Sequence, residues 1–308
     1  MSFWMKVLVT GGAGFIGSQL ALRLEKESHT VTVIDNFFSA ASENLKGLRG
    51  KVLQSDLSEI SHFDETYDAV FHQASLTDPR YPNDEEMYQK NVVGFEKVLK
   101  LCVKQNAKLI FASTAGLYGN GPVPMKEDQT TECITAYGRS KLKMEEMALK
   151  QIGNIHCIGL RYFNVFGPHE AHKGRPASMI YHLWRQMKDG NRPRLFKWGE
   201  QVRDFIYVKD AVEANLLALN GTPGIYNVGT GVATSFNLLV TCLNEVLGTH
   251  FEPEYFDMPF EGATYQHNTL ADTEHAQKGL GFKSRWTLPE AIKDYISFLE
   301  TNEEDSHA

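Results

Sequence analysis

The chain has 308 residues, 42% hydrophobic and 22% charged, with 31 Lys and Arg against 38 Asp and Glu and hence a net charge of −7. That length suffices for one large α/β domain or for two lobes sharing a cleft, in a protein of ordinary soluble composition. The acidic balance argues against a nucleic-acid partner, and no apolar run approaches the roughly 20 residues needed to span a membrane.

The N-terminus, Met1-Ser-Phe-Trp-Met-Lys6, has no charged-then-apolar leader, so the expected location is the cytoplasm. Apolar runs of strand length follow at 6–10, 30–35, 51–54, 69–73, 108–113 and 156–161, and segments with helical spacing at 15–26, 84–105 and 137–151 lie between them. This alternation predicts an α/β fold with a Rossmann-type, doubly wound parallel sheet. On helix 84–105, Tyr88, Val92, Phe95, Leu99 and Cys102 form a stripe that serves either as core or as a helix-pair contact in a homo-oligomer. Residues 1–166 read as the nucleotide-binding domain, with segments near 203–230 returning to it: 204–208 and 224–228 are expected to rejoin the main sheet. Residues 167–308 read mainly as a smaller substrate lobe, with an extended stretch at 251–255, a closing helix from 289 to about 300 and a frayed acidic tail. Cys102, Cys133, Cys157 and Cys242 form no CxxC pair, so neither a disulfide framework nor a metal site is expected.

Gly12-x-Gly14-x-x-Gly17 follows the first strand and opens a helix, the context in which glycines let a backbone approach a pyrophosphate. The second strand ends in Asp35, about 20 residues on, where a carboxylate accepts from ribose hydroxyls and repels a 2′-phosphate. Asn36, Phe37 and Phe38 follow with no adjacent cation, which favours NAD; NADP stays an alternative because Lys46 or Arg49 could fold back. Asp56 is placed either to meet adenine or to cap a helix. The expected cofactor set is Gly11, Gly14, Phe15, Ile16 and Gly17 in the first turn, then Asp35, Asn36, Asp56 and Leu57. Gln73, Ala74 and Ser75 after the fourth strand, Asn91 and Lys141 complete it.

Tyr137 and Lys141 are four residues apart and share a helix face. A cation beside a phenol favours the phenolate, so the pKa of Tyr137 is expected to fall from about 10 toward neutrality. With a nicotinamide present, such a phenol moves a proton at an alcohol carbon while a hydride is transferred.

Residues 10–17, Thr114 with Tyr118-Gly119, Tyr137-x-x-x-Lys141 and the run Arg161-Tyr-Phe-Asn-Val-Phe-Gly-Pro168 together resemble the extended short-chain dehydrogenase/reductase superfamily, nearly end to end. The resemblance implies that Thr114 hydrogen-bonds the reacting oxygen, that Tyr137 is the acid/base and that Lys141 lowers its pKa and holds the nicotinamide ribose. Dehydratases of the superfamily place an acid just after this Thr. Here Ala115-Gly116 follows, so epimerisation fits better than dehydration.

The segment after Pro168, His-Glu-Ala-His-Lys-Gly-Arg-Pro-Ala-Ser178, closely resembles the ADP-glycero-manno-heptose 6-epimerases. That likeness implies Lys173 as a second acid/base working with Tyr137, a nucleotide-diphosphate-sugar substrate, and a place in lipopolysaccharide core assembly. It also implies substrate contacts from Ser113, Asn164, His172, Ser178, Arg203 and Tyr265. Arg175-Pro176 replaces the usual Ser-Met, an Arg expected shortly before Tyr265 is absent, and Phe38 and Ser42 stand where those enzymes carry lysines. The alternatives are an NDP-hexose 4-epimerase using Tyr137 alone and, more remotely, a non-catalytic nucleotide-sensing protein.

Overall fold

The computed structural model describes residues 4–78, 81–133, 135–258 and 265–307, with side chains of the last helix as far as Asn302. The first half runs β1 (Lys6–Thr10), α1 (Phe15–Lys26), β2 (Thr30–Asp35), β3 (Lys51–Gln54), β4 (Ala69–His72), α2 (Asp84–Gln105), β5 (Lys108–Thr114), α3 (Ala136–Leu149) and β6 (Cys157–Tyr162). Then come β7 (Asn164–Phe166), α4 (Met179–Lys188), β8 (Arg194–Phe196), β9 (Val202–Arg203), β10 (Phe205–Tyr207), α5 (Val208–Ala218) and β11 (Gly224–Val228). The chain closes with β12 (Thr234–Ser235), α6 (Phe236–Leu247), β13 (Glu254–Phe256), α7 (Glu274–Leu280) and α8 (Leu288–His307).

Seven parallel strands form the main sheet in the order β11-β6-β5-β4-β1-β2-β3, the doubly wound arrangement expected from the alternation. The inner strands are buried on both faces: Val7, Leu8, Val9, Val70, Phe71, Leu109, Ile110 and Phe111 are all fully buried. Segment 224–228 joins this sheet, but 204–208 does not. The free edge of β6 is hydrogen-bonded to β11, so β10 pairs instead with β7 in a separate two-stranded ribbon. That ribbon brings Asn164 alongside Phe205 and leads the chain from β6 into the segment at 167–178.

A second core gathers α4, α6 and α8 around Phe166, Trp184, Leu239, Ile292 and Tyr295, and includes Phe15 from α1. The extended stretch expected at 251–255 is β13, paired in parallel with β8. The closing helix runs to His307, past the end expected near residue 300 and through the tail expected to fray. On α2 the buried residues are Met87, Asn91, Gly94, Phe95, Val98, Leu99, Leu101 and Cys102, so Phe95, Leu99 and Cys102 of the expected stripe are core, whereas Tyr88 and Val92 are half-buried. No helix among the described residues is long and apolar enough to cross a membrane.

Candidate active site

Two adjoining cavities open where strands β1, β2 and β4 end, and both are lined by Gly11, Gly14, Phe38, Gln73, Ser75 and Tyr81. The larger, of about 710 Å³, reaches Tyr137, Lys141, Tyr162, His172 and Lys173. The turn between β1 and α1 tolerates little but glycine. Gly11 has φ +66° and a Cβ there would lie 2.5 Å from the Ala74 nitrogen; at Gly17 it would lie 2.1 Å from the Gly11 carbonyl oxygen. Helices α2, α3, α4 and α6 begin with Asn83, Thr135, Ser178 and Ser235 caps, whereas α1, like α5 and α7, begins with no side-chain cap, here at Gly14. The first amides of α1 therefore have no side-chain acceptor, as an anion site at a helix start requires. Ser75 Oγ is buried without a partner in the same wall. These features fit a bound dinucleotide.

At the far end of the smaller cavity, Asp35 accepts from the Ala13 amide at 3.0 Å and the Phe37 amide at 2.8 Å, leaving lone pairs for further donors. Asp56 accepts from Ser58 through both its amide and its hydroxyl and from Asn36 Nδ2 at 3.1 Å, so it is the acceptor of a local turn and also lines the cavity. Asn36, Leu57, Ala74 and Asn91 line the same space. Asn91 is held by reciprocal hydrogen bonds with the Leu76 backbone. Arg49 is not folded back over Asp35. Its amide and guanidinium both bond Glu25, on α1.

The start of α3 carries the candidate acid/base. Thr135 caps the helix by accepting from the Gly138 amide at 3.1 Å, which sets Tyr137 in the first turn. Tyr137 shares a hydrogen bond with Thr114, whose Oγ1 also accepts from the Gly116 amide at 3.0 Å. One turn on, Lys141 is 1% exposed, donates to the Ala112 carbonyl at 2.8 Å and stands 5.7 Å from the Tyr137 ring centre. The expected fall in the tyrosine pKa is not what this environment produces. Burial drives Tyr137 up to about 12, and the same burial drives Lys141 down to about 7. Desolvation favours the neutral form of both groups, and it outweighs the pull of one amine on its neighbour.

Lys173 approaches from the 167–178 segment, its Nζ 5.3 Å from the centre of the Phe15 ring. Burial lowers its pKa, and Glu170 opposes that shift. His172 Nδ1 lies 3.1 Å from Asn44 Nδ2, which also donates to the Ala13 carbonyl. The segment carrying Lys173 thus rests on the glycine turn.

The other substrate residues expected from the sequence fall elsewhere. Ser113 is 1% exposed and gives its hydroxyl to Glu145 at 2.5 Å, under the sheet rather than into the cleft. Ser178 is the cap of α4, accepting from the Tyr181 amide and donating to Glu170. Asn164 Oδ1 accepts from Thr269. Arg203 donates to the carbonyls of Val202, Gln266 and His267 and sits 5.0 Å from the Tyr265 ring, so Arg203 and Tyr265 form one unit in the far lobe. Arg203 does not pair with Asp204 among the described contacts: Asp204 accepts from Thr230, Gly231 and Ala271. The position expected to hold an Arg just before Tyr265 lies outside the described residues.

Reading the sequence missed two features of the cleft and one beneath it. Tyr162 lines it and is fixed by Asn215 at 2.7 Å and Gln73 at 3.2 Å. Tyr81 meets Phe38 edge-on, 6.3 Å between ring centres, where the two cavities join. Glu145 and Arg161 form a buried ion pair below Ser113. The last had a signal, since Tyr137, Lys141 and Glu145 recur at four-residue intervals on one helix face.

Comparison with known proteins agrees with this geometry. The profile of the NAD dependent epimerase/dehydratase family matches residues 7–229. An ADP-L-glycero-D-manno-heptose-6-epimerase of Brachyspira hyodysenteriae is 33% identical over 96% of this chain and 98% of its own length. The crystal structure of the Helicobacter pylori ADP-L-glycero-D-manno-heptose-6-epimerase superposes with a TM-score of 0.89 at 34% identity, covering 96% of each chain. The Thermotoga maritima UDP-glucose 4-epimerase, solved with UDP-glucose, gives 0.88 at 30% identity over 97% of this chain and all of its own. The relatives are nucleotide-sugar epimerases, the enzyme class expected from the sequence, and this chain belongs to the NAD dependent epimerase/dehydratase family.

Proposed function

We propose that the protein is an ADP-glycero-manno-heptose 6-epimerase that works through two proton-transfer groups, Tyr137 and Lys173. The observation that carries this reading is that both line one cleft while arising from different elements, α3 and the segment after β7. Bound NAD supplies the hydride acceptor and donor. In its phenolate form, the minor one in this buried site, Tyr137 takes the proton of the reacting hydroxyl, with Thr114 sharing its hydrogen bond, as the carbinol becomes a ketone. Lys141, anchored on Ala112, holds its amine against the floor of the site. Lys173 gives the proton when hydride returns to the opposite face of the ketone, which needs a donor on that side. Arg203 and Tyr265 are read as the far-lobe contact for the nucleotide diphosphate, through the Arg203 N–H groups that the Val202, Gln266 and His267 carbonyls leave free.

The experiment is incubation with ADP-heptose, UDP-hexose and UDP-N-acetylhexosamine, scored by NMR for inversion at each carbon. Inversion at C6 of the heptose, lost in Lys173→Ala, is the expected result. Inversion only at a ring carbon would sink the heptose reading, and full activity in Lys173→Ala would remove the second acid/base. The same panel distinguishes an enzyme from a nucleotide sensor.

The place of action we assign is the cytoplasm, since all four cysteines are free, as in a reducing compartment. We further assign the half-buried Tyr88 and Leu142, on the groove between α2 and α3, to a contact between two copies. Sedimentation of the wild type and of Tyr88→Glu tests that contact, the wild type running as a dimer and the variant as a monomer.

A further inference from the structure

Glu170 lies three residues before Lys173 and is 0% exposed. Its Oε1 accepts from the Gly167 amide at 3.1 Å and the Ser178 hydroxyl at 2.8 Å, and its Oε2 accepts from the Ser178 amide at 2.6 Å. Gly167 and Ser178 bound the segment that carries His172 and Lys173, so one carboxylate ties both of its ends together. The Lys173 amide closes the turn by donating to the Glu170 carbonyl at 3.0 Å. On the outside, His169 Nδ1 lies 2.9 Å from Ser18 Oγ on α1, and His172 meets Asn44. The segment is therefore clamped from within by Glu170 and docked from without on the glycine turn.

A fully buried carboxylate is expensive unless its lone pairs are taken. Here three donors take them. A Gln at this point would keep one acceptor oxygen but turn its NH2 toward a backbone N–H, so only a carboxylate accepts on both sides of the clamp. Glu170 and Lys173 stand at i and i+3 of one 3-10 turn, a spacing that sets their side chains on the same side of it. Burial raises the pKa of Glu170 and lowers that of Lys173, and each charge opposes the shift of the other.

We propose that Glu170 is a positioning residue for Lys173: it closes the 167–178 segment and supplies the negative charge that sets when the amine releases its proton. This rests on reading Lys173 as a proton-transfer group. The other ionisable groups nearby are His172 and His169 on the same segment, Asp35 acting on His172, Tyr295 of α8 acting on Glu170, and Tyr137 across the cleft. The variants below leave all of these in place.

The test is the pH dependence of Lys173 acylation by acetic anhydride, read by mass spectrometry of its peptide, in the wild type and in Glu170→Gln, Glu170→Asp and Ser178→Ala. In Glu170→Gln the midpoint is expected to fall by about one pH unit, the size of effect that a nearby opposite charge exerts. Glu170→Asp keeps the charge on a shorter arm and should fall between the two. Ser178→Ala removes one donor but keeps the charge, so it should lower thermal stability and leave the midpoint in place. The kcat/KM profile should move its Lys173-dependent limb in the same order. Unmoved midpoints in both Glu170 variants would overturn the proposal, and should the Gln variant not fold, the Asp variant alone decides. If Lys173→Ala epimerises normally while Glu170→Gln still shifts the labelling midpoint, the acid/base reading of Lys173 fails and the electrostatic role of Glu170 survives.

Discussion

Glu145 and Arg161 are joined by two hydrogen bonds, Arg161 Nε to Oε1 at 2.9 Å and Nη2 to Oε2 at 2.7 Å, with side chains 3% and 6% exposed. Glu145 also receives the Ser113 hydroxyl, and Arg161 Nη1 donates to Tyr118 at 2.8 Å. The pair thus pins the sheet-facing side of α3, the side that carries Tyr137 and Lys141, to β5 and β6. Removing one partner leaves the other charge buried and unpaired. Glu145→Leu or Arg161→Met alone should lose about 3–5 kcal/mol of stability, whereas the double change should recover much of it. Urea unfolding measures this; single variants within 1 kcal/mol of wild type would mean the pair holds nothing.

Lys141 makes a different prediction, because its burial opposes its charge. Its amine is pushed to about 7 in the fold and returns to 10.5 when unfolded. Between those values the unfolded chain binds more protons, so this group makes the cofactor-free protein more stable as pH rises from about 7 toward 10.5. Tyr137 acts oppositely only above about 10, where the unfolded phenol ionises and the folded one does not. Melting temperatures between pH 7 and 9.5 should climb in the wild type and flatten in Lys141→Met. The same variant should lose turnover by about 10²-fold or more. A Met variant that melts lower than wild type at pH 7.5 would contradict the account.

Acid sensitivity follows from His72. Its ring is 1% exposed, Nδ1 lies 2.8 Å from Thr10 Oγ1, and burial together with the Lys141 charge lowers its pKa to about 3. The unfolded imidazole titrates near 6.5, so stability from this neutral ring is complete above 6.5 and is lost as pH falls toward 3. The slope is roughly 1.4 kcal/mol per pH unit for one such group. His169, lowered to about 4, adds to it over 6.5 to 4. Guanidinium unfolding at pH 7, 6 and 5 should show this loss, with a shallower slope in His72→Gln.

How far the sequence reveals all this depends on the range of the interactions. β1, α1, β2 and α2 are read to the residue because period-2 and period-3.6 patterns act locally. Segment 204–208 is misplaced because its pattern suits any parallel edge, and β11 already occupies the one beside β6. Ser113 and Ser178 have the hydroxyls a sugar site needs, yet each is taken by a buried acid, Glu145 or Glu170, far enough along the chain that pattern alone cannot pair them. The Tyr137 shift is misjudged for a related reason. Proximity to Lys141 is visible in the spacing, but the depth of both groups is a property of the folded cleft.

Cofactor preference supplies the last prediction. Asp35 holds the turn after β2 through Ala13 and Phe37, Arg49 is occupied by Glu25, and Lys90, which lines the smaller cavity, pairs with Glu86 at 3.2 Å. A 2′-phosphate here would meet a carboxylate with no free cation beside it among the lining residues, so NAD should bind more tightly than NADP. Phe38, 64% exposed at the mouth, is the position from which a guanidinium could reach that phosphate. Phe38→Arg alone should gain little, because Asp35 still repels. Asp35→Ser alone should weaken NAD, because ribose acceptors and the acceptor for the Ala13 amide go together. The double variant should shift the ratio of dissociation constants toward NADP by about tenfold or more, about 1.4 kcal/mol. Cofactor titration followed by intrinsic fluorescence reads both constants without turnover, and an unchanged ratio in the double variant would show that selectivity is set elsewhere.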